Sequence, residues 1–98
     1  MIFLLYIYYM AKLIRTRDSE GDSGARCEAI RWDEKGTFKE VVGNRPVVGC
    51  SMLVGSLTAR SYSDRDYWLT TKVTEILEER EDYVKFKTGN STYELFLY

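Results

Sequence analysis

Histidine is absent from this 98-residue sequence, and with it go the commonest general base and the commonest metal ligand. Only two cysteines occur, Cys27 and Cys50, without the close spacing of a metal knuckle. A structural zinc site takes four Cys or His ligands, so none of that type can be assembled. Two cysteines are also too few for the disulfide scaffold of a small secreted domain, and the expectation is a pair of buried, reduced thiols. Proline occurs once, at Pro46, and marks a break after Gly43-Asn44-Arg45. Neither sign of charge dominates: 14 Lys and Arg stand against 15 Asp and Glu, a net charge of -1. That balance rules out an obvious polyanion binder, and equally a highly acidic mimic of DNA.

Long apolar runs are missing too, except at the start. Met1 to Met10 is apolar and uncharged, but about half the ~20 residues that span a bilayer, and it lacks the basic leader and small-residue cleavage site of a signal peptide. Three readings stand for residues 1–9: a buried strand, an interface segment, or an extension ahead of a start at Met10. No membrane association is expected, and the expected location is cytoplasmic.

What is present points to one β-rich domain over residues 1–98. Hydrophobic residues make up 45%, with eight Tyr, four Phe and two Trp, a globular composition rich in strand formers. Short β-branched and aromatic runs alternate with turn signals, as in a small barrel or sandwich. Arg26 to Trp32 and Phe38 to Val42 read as strands around the turn Asp33-Glu34-Lys35-Gly36, and Arg17 to Gly24 as a polar loop. Val47 to Leu57 is apolar, with Gly49 and Gly55 suggesting a bend. Residues 70–81 carry helical spacing in Val73, Ile76 and Leu77, yet β-branched residues in Thr70, Thr71, Val73 and Thr74 favour a strand. In the C-terminal hairpin, Gly89-Asn90 suits a primed two-residue turn. Pairing Thr88 with Ser91 sets Phe86 against Tyr93 and Val84 against Leu95 on one face, with Lys85 against Glu94 on the other. The expected fold is all-β, a small partly open barrel or SH3-like roll of about five to seven strands, with room for one short helix.

Catalytic signatures fail on inspection. Gly21-Asp22-Ser23-Gly24 matches the start of a serine-protease nucleophile motif, but Ala25 replaces the next glycine and no histidine can take the serine proton. Asp18, Glu20 and Asp22 alternate like cation ligands, yet Ser23 and Ala29 stand where a calcium loop needs glycine and a bidentate Glu. Neither a metal site, a cofactor nor an enzymatic activity is expected. Binding is the function class that remains. Tyr62, Arg65, Tyr67 and Trp68, in the loop Ser61 to Trp68, concentrate the residue types that dominate protein–protein hot spots. The alternative is a nucleic-acid-binding β-barrel using Arg15 and Arg17 on one strand face, with Lys12 on the other. A protein partner ranks first, nucleic acid second, and pairing of the N-terminal segment with another subunit would make a homodimer.

From Val48 onward the chain resembles a loose group of short, mostly uncharacterised phage and mobile-element proteins of bacteria. The residues that carry the likeness are Val48-Gly49 through Val54-Gly55-Ser56, then Trp68-Leu69-Thr70-Thr71 with Val73, and Phe86-Lys87-Thr88-Gly89-Asn90-Ser91-Thr92-Tyr93. The resemblance implies a small all-β domain in a cytosolic setting and brings no activity. Antagonism of a host defence is a role it allows by analogy.

Overall fold

A computed structural model describes residues 10–56 and 67–98. Eight strands run through them: β1 (Ala11–Arg15), β2 (Glu20–Gly24), β3 (Arg26–Trp32), β4 (Phe38–Gly43), β5 (Ser51–Gly55), β6 (Tyr67–Arg80), β7 (Tyr83–Thr88) and β8 (Thr92–Leu97). All pairings are antiparallel, in the order β2-β1-β8-β7-β6-β5-β3-β4, and the sheet is not closed into a barrel. The fold is therefore all-β, with more strands than the turn spacing suggests and no helix among the described residues.

Period-two alternation builds the core. Ala11 and Leu13 of β1, Val84 and Phe86 of β7, and Tyr93, Leu95 and Leu97 of β8 point inward together. The interior strand β5 differs: all five of its residues are buried, on both faces, which explains its continuous Met52-Leu53-Val54 run. Cys50 is buried and Cys27 half-buried, and both are free thiols. Burial pushes the Cys27 thiol up to about 11, and it donates to the Asn44 carbonyl at 3.3 Å.

Residues 70–81 resolve as strand. β6 is long because it serves two sets of partners: its first half pairs with β5 and its second with β7. Register shifts fall opposite Met52 and at Val73/Glu75 and Ile76/Glu78. Such bulges add twist and bend a strand. The bend lets the sheet curl, so that β1 and β2 pack back against β5 and β6, although β8 and β7 separate them within the sheet. At Gly24 and Gly55 the two ends of the curl meet: a Cβ on Gly24 would lie 1.9 Å from the Gly55 carbonyl oxygen.

Two local expectations are corrected. The polar stretch read as a loop contains β2, a sheet-edge strand whose backbone pairs with β1 without needing apolar side chains. The β7–β8 turn falls at Gly89-Asn90 as expected, but neither residue has positive φ, so it is not a primed turn. Thr88 stabilises it instead. Its amide donates to the Ser91 carbonyl at 2.8 Å, and its Oγ1 accepts from the Asn90 and Ser91 amides at 3.3 and 3.2 Å.

Candidate functional site

One mouth of the curled sheet forms a cleft of about 410 Å³. β1 contributes Arg15, the β1–β2 turn Arg17, and the β7–β8 turn Asn90 and Ser91. Trp68, Leu69 and Thr71 enter from β6, and Tyr93 from β8. The mouths of β-barrels are a recurrent place for ligands, because curvature turns flat sheet faces into concave ones.

Arg15 is held in position from three sides. Its Nε and Nη2 donate to the two carboxylate oxygens of Asp18 at 3.0 and 2.6 Å, a bidentate pair. Its Cζ lies 4.9 Å from the centroid of the Trp68 ring, in cation–π range. Directly across the β1–β8 ladder stands Tyr93. The Arg15 hydrogen bond holds the Asp18 carboxyl below the usual carboxylate range, and Asp18 in turn raises the Arg15 guanidinium above its ordinary value. Trp68 is half-buried against the core and donates from Nε1 to the Tyr93 hydroxyl at 3.4 Å. Tyr93 stacks on Phe86 with centroids 5.5 Å apart and planes 17° from parallel. The core thus extends outward as a ladder of rings, Phe86, Tyr93 and Trp68, ending under a guanidinium.

The cleft joins residues expected at two different sites. Trp68 belongs to the expected protein-binding set and Arg15 with Arg17 to the nucleic-acid set, yet they face one another across the curl. Tyr67 pairs with Gly55 at the start of β6 and does not line the cleft. Tyr62 and Arg65 lie outside the described residues, as do the readings for residues 1–9. Lys12 occupies the opposite face of β1, beside Ile14, Phe96 and Tyr98. Tyr93, Asn90, Ser91 and Thr71 were not singled out as site residues. Their types are ordinary for strands and turns; the register of Arg15 with Tyr93 brings the β7–β8 hairpin to the cleft, and the curl of the sheet brings Thr71 of β6.

Comparison with known proteins finds no matching family model, curated protein or solved structure. The site therefore rests on its own chemistry: charge, ring faces, and hydroxyl and amide groups for hydrogen bonding. Among the described residues no cluster of three or more Asp, Glu or Cys is arranged to hold a metal ion. No helix among them is long and apolar enough to cross a membrane.

Proposed function

We propose that the protein is a non-enzymatic binding module whose cleft at the mouth of the curled sheet takes a segment of single-stranded nucleic acid. One observation carries this reading: Arg15, stacked on Trp68, and Arg17 line the same concavity. A nucleotide offers an anionic phosphate beside a flat ring, and the cleft offers cations beside ring faces. Asn90, Ser91 and Thr71 add groups able to hydrogen-bond base edges or sugar hydroxyls. The phage or mobile-element setting implied by residues 48–93 suits a small cytoplasmic accessory protein, where both cysteines stay reduced.

A protein partner is the second reading, and the edge strand β4 favours it. Phe38 and Val41 are exposed there, 54% and 44%, on a strand with one side unpaired among the described residues. Such an edge can accept an added strand.

The test is fluorescence anisotropy with labelled single-stranded and duplex oligonucleotides. Single strands are expected to bind with strong salt dependence, and Arg17→Gln to weaken them about tenfold, as loss of one phosphate contact predicts at low salt. Trp68→Leu should reduce affinity by about 1–3 kcal/mol while keeping an apolar anchor against the core. Salt-insensitive or absent binding overturns the reading.

A further inference from the structure

The mouth cleft does not stand alone. A second cleft of about 290 Å³ is lined by Thr71, Lys72, Ser51, Gly36 and Trp32, and shares Thr71 with the first. A third, of about 420 Å³, is lined by Trp32, Asp33, Glu34, Lys35 and Lys39, and shares Trp32 with the second. Trp32 is therefore the wall between two concavities. Its indole is fixed there by donation from Nε1 to Ser51 Oγ at 2.8 Å.

We infer that the three clefts form one continuous track for an extended single strand, entering at Arg15 and Arg17 and leaving past Trp32 at Lys35 and Lys39. This rests on the nucleic-acid reading of the mouth cleft and extends it from a pocket to a footprint. The pattern along the track is cation, indole, cation, indole, cation: the arginines, Trp68, Lys72, Trp32, then the two lysines, beside which Asp33 and Glu34 also line the last cleft. Phosphates and bases alternate in the same way along a strand, and sequence-tolerant binding uses cations for one and rings for the other. Charge is partitioned to match. Five of the 14 basic residues but two of the 15 acidic ones line the clefts, a net charge of +3 in a chain of -1. Counting Asp18, which pairs with Arg15, leaves +2. The remainder of the chain carries the compensating net negative charge, and a local excess of cations is what steers a polyanion.

The experiment compares labelled oligo-dT of about 4 and about 12 nucleotides, bracketing one cleft and the whole track, by anisotropy over a salt series. The longer probe is expected to bind about tenfold tighter. The double variant Lys35→Gln/Lys39→Gln should cancel that advantage and reduce the salt slope by ~0.7 per lost contact, leaving the short probe unaffected. Both lysines are exposed, so folding is not at stake. If the two probes bind equally and the lysine variant changes nothing, while Arg17→Gln still weakens both, the track is refuted and the mouth cleft stands. If neither probe binds, both readings fall. If polyglutamate of matched charge displaces the long probe as well as unlabelled oligo-dT does, an acidic protein segment is the occupant and the inference is overturned.

Discussion

The Tyr83 ring is 7% exposed, stacks at a tilt on Phe96 with centroids 5.2 Å apart, and lies under the Arg80 guanidinium at 4.5 Å. Its hydroxyl donates to Glu94 Oε2 at 2.6 Å. Burial and that bond push its pKa up to about 12, because both favour the protonated phenol over the phenolate. A proton held more tightly in the folded state stabilises it fully below the unfolded value of ~10, and the benefit is lost as pH rises from there to about 12. Urea titrations at neutral and alkaline pH test this. Tyr83→Phe should cost about 1 kcal/mol at pH 7 and flatten the alkaline loss of stability. An unchanged alkaline slope would mean that Tyr83 does not titrate as its surroundings dictate.

Elements were legible wherever side chains alternate. The β7–β8 register can be read because it places an apolar set on one face, and a one-residue slip would expose it; β3 and β4 are read instead from their β-branched and aromatic residues on either side of the Asp33–Gly36 turn. β2 was not legible, because an edge strand held by backbone pairing carries little hydrophobic signal. β6 was ambiguous for a related reason: bulges disturb its period, so apolar residues fall at mixed spacing. The bulge opposite Met52 also has a chemical consequence. The Met52 amide leaves the ladder and donates to Thr70 Oγ1 at 2.9 Å, while that hydroxyl donates to the Thr71 carbonyl at 2.7 Å. Thr70 is 4% exposed, so water cannot replace the bond. Thr70→Val keeps the shape and strands a buried donor, and should lower stability by about 1–3 kcal/mol in chemical denaturation. A loss within experimental scatter would show that the bulge relaxes to find another acceptor.

At the scale of the molecule, the curl decides what the surface can do. Gly24 and Gly55 let its ends approach, and no side chain fits between them. Gly24→Ala should force β2 away from β5 and destabilise the protein by about 1–3 kcal/mol, with a shift in tryptophan emission as Trp68 loses its surroundings. Gly89→Ala serves as the control. Its Cβ would meet nothing within 4 Å, so stability should change by no more than about 0.5 kcal/mol. Equal effects of the two substitutions would remove the close approach as the cause.

By itself the sequence determined the all-β class, most strand positions and the hairpin register, because those follow from local alternation and turn chemistry. It also excluded imidazole chemistry outright. The meeting of Arg15 with Trp68 was decided only by tertiary structure. The two side chains sit on strands that are not neighbours in the sheet and come together when bulges bend β6 and the sheet rolls. Neither residue carries a local mark of the other, since sheet curvature is the sum of many small twists and not a property of any short segment.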